Sequence, residues 1–314
     1  MTGGAGFIGH HLVSRLVNEG YSVRVLDNFA TGRRDRLEGL DVELIEGDLR
    51  SYERVHGAVR GSEIVFHLGA MPSVPRSIQD PLTSNAVNVD GTLNVLLASR
   101  DEGVRRVVFA SSSSVYGANP ILPKSELDLP MPVSPYGVSK LAAEQHCCAF
   151  HAVYGIETVA LRLFNVFGPG QDPLSQYAAV VPRFISTMSA GHRPPVFGDG
   201  LQSRDFTFVA DVVNSFLLAS SVPDAVGQIF NIACGHQTSI LEVVAALNEI
   251  LGSSIVPEFL PARDGEVRHS SGNSNRAASI LGWSPEWAVT DGLRAIVEAQ
   301  RGALTTGKDP VHTV

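Results

Sequence analysis

Tyr136 and Lys140 stand four residues apart in Ser134-Pro135-Tyr136-Gly137-Val138-Ser139-Lys140, which opens an apolar, helix-like run. Residues at i and i+4 share one helix face, so the phenol and the ammonium point the same way. A free tyrosine has a pKa of about 10 and is a poor base at neutral pH. A cation beside it favours the phenolate and lowers that value. The pair therefore reads as a general base with its own activator. The same spacing also occurs on the solvated face of an ordinary helix, so its chemistry depends on what else the chain brings to it.

A second constellation opens the chain. Gly3, Gly6 and Gly9 form a GxxGxxG loop, enclosing Phe7 and Ile8, and an apolar stripe of Leu12, Val13, Leu16 and Val17 follows. Residues 21–27 then read as a buried strand that ends in Asp27. Glycines let backbone amides approach a pyrophosphate, and a helix amino terminus favours the anion. An acid about 20 residues on is placed to hold a ribose hydroxyl. Asp27 favours NAD over NADP, because a carboxylate repels a 2′-phosphate, while the nearby Arg33 and Arg34 work against that preference.

The elements that must carry these groups alternate. Residues 42–49, 63–70 and 106–111 read as strands, and residues 10–18, 85–100 and 240–251 as helices, with Val87, Leu93, Val95 and Leu96 toward the sheet. Such alternation predicts an α/β fold with a parallel sheet covered on both faces, and ligands beyond the carboxyl ends of its strands. Ser112 sits at such an end. His67, inside an apolar strand, reads as a structural, hydrogen-bonded histidine. Only Met1 and Thr2 precede Gly3, so the strand expected before the loop is missing, and the reading expects a native chain that begins upstream.

Composition narrows the classes. The 314 residues are enough for one large or two medium domains. Lys plus Arg is 24 and Asp plus Glu is 32, a net charge of −8, which disfavours a nucleic-acid partner or an anionic membrane surface. Cys147, Cys148 and Cys234 offer no CxxC, so neither a disulfide framework nor a metal site is expected, and a cytoplasmic setting is the simplest. No apolar run approaches the ~18 residues of a membrane span.

Taken together, Gly3 to Gly9, Asp27, Asp48-Leu49, Ser112-Ser113-Ser114-Val115-Tyr116-Gly117 and Tyr136-xxx-Lys140 resemble the extended short-chain dehydrogenase/reductase family. Within it the chain looks like the UDP-hexose 4-epimerases. The likeness runs on through residues 161–173, 198–206 and 263–270. It implies a Rossmann-type doubly wound parallel sheet with a smaller mixed α/β substrate domain. The division it implies is residues 1–166 for NAD, with a returning segment near 205–235, and 167–314 for the sugar nucleotide.

The resemblance also implies roles. Ser112 would hydrogen-bond the reacting sugar hydroxyl, Tyr136 would be general base and then acid, and Lys140 would hold the nicotinamide ribose and tune Tyr136. Gly3, Gly6, Phe7, Ile8 and Gly9 would cradle the NAD pyrophosphate. Asp27 and Asn28 would hold the adenosine ribose, Asp48 and Leu49 the adenine end, and Leu68 and Ala70 the cofactor path. Ser73, Ser113, Asn165, Tyr177, Ala179, Arg204, Arg263 and Ser270 would face the UDP-sugar. The implied reaction is transient oxidation at C4, rotation of the 4-keto sugar and return of hydride to the other face.

Related sugar dehydratases carry an Asp-Glu pair where this chain has Ser113-Ser114, and serine is no acid or base near neutral pH, so dehydration is disfavoured. Ser270, where many such epimerases carry a tyrosine, leaves room for an N-acetyl group and points to UDP-GlcNAc/UDP-GalNAc beside UDP-Glc/UDP-Gal. Other readings are a UDP-glucuronate 4-epimerase or decarboxylase, an NADPH-linked 4-ketoreductase and, from another class, a non-catalytic dinucleotide-binding module. The family expectation is a homodimer. Trp283 and Trp287 read as core residues, and the tail from Thr305 as loose.

Overall fold

The structure, a computed structural model, describes residues 1–172, 180–262 and 268–306, so the chain's tail lies outside it. In chain order the elements are α1 (Phe7–Asn18), β1 (Val23–Asp27), β2 (Val42–Glu46), α2 (Tyr52–Val59), β3 (Ile64–His67), α3 (Val74–Gln79), α4 (Pro81–Asn85), α5 (Gly91–Asp101), β4 (Arg106–Ser112), α6 (Pro135–Tyr154) and β5 (Glu157–Leu163). The chain continues through β6 (Val166–Phe167), α7 (Val180–Ser189), β7 (Pro195–Phe197), β8 (Ser203–Arg204), β9 (Thr207–Phe208), α8 (Val209–Ser221), β10 (Gln228–Ile232), β11 (Thr238–Ser239), α9 (Ile240–Leu251), β12 (Glu258–Leu260) and α10 (Val289–Thr306).

One parallel sheet runs β2-β1, then Met1-Thr2, then β3-β4-β5-β10. The two residues before the glycine loop take the place of a central strand. Thr2 bridges Leu26 on one side and His67 on the other. Its N–H donates to Phe66 O (3.0 Å) and its carbonyl accepts from Leu68 N (3.2 Å). His67 is structural, as read from its apolar strand: Nδ1 meets Thr2 Oγ1 at 2.7 Å and Nε2 meets Thr92 Oγ1 at 2.9 Å.

Alternation along the strands feeds two cores, because successive strand residues face opposite sides of a sheet. Val108 and Ala110 of β4 join α1 and α8 through Leu12, Val13, Val212 and Phe216. Val107 and Phe109 join α2, α5 and α6 through Val55, Leu96, Ala143 and Phe150. Every residue of β4 is buried. Strands covered on both faces need near-continuous apolar runs, and Arg106-Val-Val-Phe-Ala supplies one. A third core belongs to α7, α9 and α10 with the short strands, around Phe184, Phe208, Leu247 and Leu293. Trp283 is buried and donates its indole N–H to Asp211 O (2.8 Å). Trp287 stacks on Phe208 with ring centroids 4.3 Å apart.

The helix expected over 85–100 is interrupted. α4 ends at Asn85, a π-helical turn covers Ala86–Asp90, and α5 begins at Gly91. The widened turn directs Asn88, which is buried, to the Met71 backbone, accepting from Met71 N at 2.7 Å. π-Bulges occur frequently at functional sites.

Between α6 and the sheet lies a buried ion pair. Glu144 accepts from Arg162 NH2 (2.7 Å), Arg162 Nε (2.9 Å) and Ser111 Oγ (2.7 Å). Arg162 also donates to the Tyr116 hydroxyl (2.8 Å), which donates to Asn231 Oδ1 (2.6 Å). Removing one partner of such a pair strands a charge in the interior. Arg162→Met is therefore expected to lower stability by about 3–5 kcal/mol, read from urea unfolding. The double variant E144L/R162M should recover most of that loss; a double variant as unstable as the single one would contradict this.

Candidate active site

The glycine loop runs from Thr2 into α1 where the chain crosses between β1 and β3. Gly3 has φ +71°, and a Cβ there would lie 2.6 Å from Gly69 N. A Cβ on Gly9 would lie 2.1 Å from Gly3 O, so only glycine lets the helix start this close beneath the loop. α1 therefore begins at Phe7, three residues earlier than its apolar stripe indicated, with Gly6 as an extended N-cap that offers no side chain. The first helical N–H groups lack intrahelical acceptors, and no side chain caps this end. These residues fit the pyrophosphate of a dinucleotide.

Asp27 ends β1 and is buried. Its Oδ2 accepts from Ala5 N (3.0 Å) and its Oδ1 from Phe29 N (2.9 Å). Each oxygen keeps a lone pair for a ribose hydroxyl. The two arginines that follow are engaged elsewhere. Arg33 pairs with Asp35; Arg34 pairs with Glu46 at 2.5 Å and lies 4.4 Å over the Phe29 ring. Asn28 Nδ2 donates to Asp48 Oδ2 (3.0 Å). The hydrogen bonds of Arg50, then those of its own loop and Asn28, hold the Asp48 carboxyl down to about 2. Leu49 is buried, and its carbonyl accepts from Asn94 Nδ2 (2.8 Å). Leu68 and Ala70, both half-buried, follow β3 on the same side of the sheet as the glycine loop.

Ser112, Tyr136 and Lys140 come together at the carboxyl end of β4. Ser134 caps α6, accepting from Gly137 N (3.1 Å), and Pro135 opens its first turn. A Cβ on Gly137 would lie 2.7 Å from Ser114 O, so this glycine lets the turn close against the segment after Ser112. Ser112 Oγ accepts from Ser114 N (3.1 Å), and its side chain lies close enough to the Tyr136 phenol to favour its ionisation.

The electrostatics differ from the sequence reading. Tyr136 is half-buried; desolvation pushes its phenol up, and Ser112 beside it pulls the other way. Lys140 stands on the same face but bonds elsewhere. Its ammonium donates to Ala110 O (2.9 Å), lies 4.9 Å over the Phe109 ring, and is 6.0 Å from the centre of the Tyr136 ring. Lys140 is itself buried, and desolvation lowers its pKa to about 8. The shared helix face is as expected, and one of the ammonium's three N–H groups is taken by a backbone carbonyl.

The residues expected at the sugar nucleotide are spread around one end of the sheet. Asn165 has φ +26° and donates Nδ2 to Asp205 O (3.0 Å). Asn165, Arg204, Phe184, Phe197 and Phe206 line a cavity of about 280 Å³. Arg204 NH1 also donates to Ser203 O (2.9 Å). Ser270 is half-buried and donates its N–H to Ser203 O (3.1 Å). Ser113 opens a 3-10 turn beside Ser112. Ser73 has φ +104° and caps α3 through Arg76 N (3.3 Å). Tyr177, Ala179 and Arg263 lie outside the described residues.

Sequence reasoning missed the residues that brace this site. Asn88 Nδ2 donates to Ser139 Oγ (2.9 Å), and Ser139 Oγ donates to Tyr136 O (2.8 Å). Asp205 holds the N–H groups of Cys234 (2.8 Å), Gly235 (3.0 Å) and Gly272 (3.0 Å). One signal was available: Glu144 lies one turn beyond Lys140 on the same face, an acid where the helix must pack. Among the described residues no helix is long and apolar enough to cross a membrane, and no cluster of His, Cys, Asp or Glu is arranged to hold a metal ion.

Comparison with known proteins agrees with this geometry. Residues 1–233 match the model of the NAD dependent epimerase/dehydratase family. A UDP-glucose 4-epimerase of Mycolicibacterium smegmatis is 39% identical over 309 residues, covering 95% of this chain and 96% of that protein. The UDP-glucose 4-epimerase of Thermotoga maritima, solved with UDP-glucose, superposes with a TM-score of 0.92 at 36% identity, covering 96% of this chain and 98% of that one. A UDP-N-acetylglucosamine 4-epimerase of Methanobrevibacter ruminantium, in complex with UDP-N-acetylmuramic acid, gives 0.90 at 35% identity over 95% and 96%. The chain belongs to the NAD dependent epimerase/dehydratase family.

Proposed function

We propose that this chain is an NAD-dependent 4-epimerase of UDP-hexoses. The observation that carries the reading is the convergence of Ser112, Tyr136 and Lys140 at the end of β4, beside a glycine loop shaped for a dinucleotide. Tyr136 takes the proton from the sugar O4 and later returns it. Ser112 hydrogen-bonds that same oxygen. Lys140 orients the nicotinamide ribose. Gly3, Gly6, Phe7, Ile8 and Gly9 hold the pyrophosphate, Asp27 and Asn28 the ribose, Asp48 and Leu49 the adenine end, and Leu68 and Ala70 line the path between. NAD, when bound, supplies the hydride acceptor at C4 and a positive charge beside the phenol.

Asn165 and Arg204, at the mouth of the 280 Å³ cavity, hold the nucleotide diphosphate. Arg suits that work because its planar fork makes paired, charge-assisted bonds. Tyr177, Ala179 and Arg263 complete the nucleotide site, and Ser73, Ser113 and Ser270 face the sugar. The small Ser270 side chain supports room for an N-acetyl group at C2, so UDP-GlcNAc/UDP-GalNAc and UDP-Glc/UDP-Gal are both substrates of the proposed enzyme. We take it as a cytoplasmic homodimer, which its unpaired cysteines and the exposed Val138, Val153 and Tyr154 of α6 suit.

Overnight incubation with UDP-Glc, UDP-GlcNAc and UDP-GlcA, without added NAD, followed by separation of C4 epimers, tests the reading. An equilibrium mixture from UDP-Glc or UDP-GlcNAc is expected, and its loss in Tyr136→Phe. No epimer from either in the unaltered chain would refute it. The cofactor site is tested separately by Gly9→Ala. The added methyl meets backbone rather than a movable side chain. Purified G9A should therefore carry at least about 10-fold less dinucleotide than the unaltered chain, since close backbone approach is what the loop's glycines permit; an equal NAD content would refute the assignment.

A further inference from the structure

Tyr136 is placed by more than its own helix. It is the second residue of α6, so its N–H has no acceptor within the helix. That N–H donates to Ser77 Oγ of α3 at 3.0 Å. Ser77 is fully buried, and its hydroxyl donates to Val74 O at 2.7 Å. The Tyr136 carbonyl is held from the other side by Ser139 Oγ, which takes Asn88 Nδ2. Asn88 also grips both polar groups of the Met71 backbone, accepting from its N–H (2.7 Å) and donating to its carbonyl (3.3 Å). Both routes from the Tyr136 peptide thus end in one segment, Met71 to Ser77. That segment contains Ser73 in a sparsely populated conformation, φ +104°, and such conformations persist only where their surroundings over-determine them.

We infer that Ser77 is a positioning residue for the reaction, acting through Tyr136. It sets the height of the first turn of α6 against the segment that carries Ser73, so that the phenol and Ser112 address the same sugar hydroxyl. This inference rests on the epimerase reading. A merely structural role for Ser77 would satisfy one buried N–H and affect stability alone. A positioning role also affects turnover, because reacting groups must stand in near-attack geometry and small displacements are costly.

The test compares Ser77→Ala, Ser77→Cys and Ser77→Thr with the unaltered chain on UDP-glucose and UDP-GlcNAc. Each kcat is expressed per NAD-loaded site, with KM, NAD content and melting temperature measured on the same preparations. S77A should lower kcat by about 10-fold or more while KM stays within about twofold, since the loss is of alignment and not of binding. NAD content should not change. S77T keeps the hydroxyl and should retain most of kcat. Should S77A fail to fold, S77C, with a weak acceptor of similar size, is read in its place. The inference is overturned if the acceptor-poor variant turns over at the unaltered rate, if only KM changes, or if S77T loses as much as S77A. An unaltered chain inactive on both sugars would overturn the epimerase reading and this inference with it.

Discussion

Desolvation of the half-buried Tyr136 side chain is the constraint around which this site is organised. A phenol withdrawn from water resists ionisation, and Ser112 beside it pulls the other way. The Lys140 cation is desolvated too and bonded to Ala110 O. Within the chain alone, desolvation thus works against ionisation of this base. That arrangement suits a reaction in which proton abstraction must not precede occupancy of the dinucleotide site.

The fold serves this by bringing three loops to one end of a parallel sheet. The glycine loop, the segment after β3 and the turn after β4 all leave the sheet on the side where a doubly wound fold binds its ligand. Between them α6 is fixed by contacts of different kinds. Gly137 permits close approach to Ser114, Lys140 and Glu144 bond to successive residues of β4, Tyr136 N–H donates to Ser77 of α3, and Asn88 of the π-turn holds the Ser139 hydroxyl that bonds the Tyr136 carbonyl. A buried Arg162–Glu144 pair is a weak source of net stability, but it fixes how α6 sits on β4 and β5.

Much of this was legible in the sequence where the signal is local. The glycine spacing, the terminal acid of β1 and the i, i+4 relation of Tyr136 and Lys140 are read within a few residues of one another. Strand ends were read too long: 63–70 became Ile64–His67, with Leu68 still bonded through its N–H to Thr2 O before the chain leaves the sheet. The helix over 85–100 hid a π-turn, since its apolar spacing carries no record of the extra residue that swings Asn88 toward Met71. The braces were out of reach for another reason. Ser77 and Tyr136 are 59 residues apart, and a serine near a helix start has too many local uses to name a distant partner. The electrostatics were less legible: spacing places Lys140 on the face of Tyr136 but says nothing of desolvation or of the Ala110 carbonyl that accepts one of its N–H groups.

Desolvation in the chain alone raises the Tyr136 pKa, and bound oxidised cofactor is expected to lower it. Titration of tyrosine-labelled protein by NMR, with Tyr136→Phe identifying the resonance, measures it directly. The account predicts a phenol titrating above about 10, the free value, in the dinucleotide-free chain, and well below it with NAD bound. A phenol already depressed without NAD, or unmoved by it, would contradict the account.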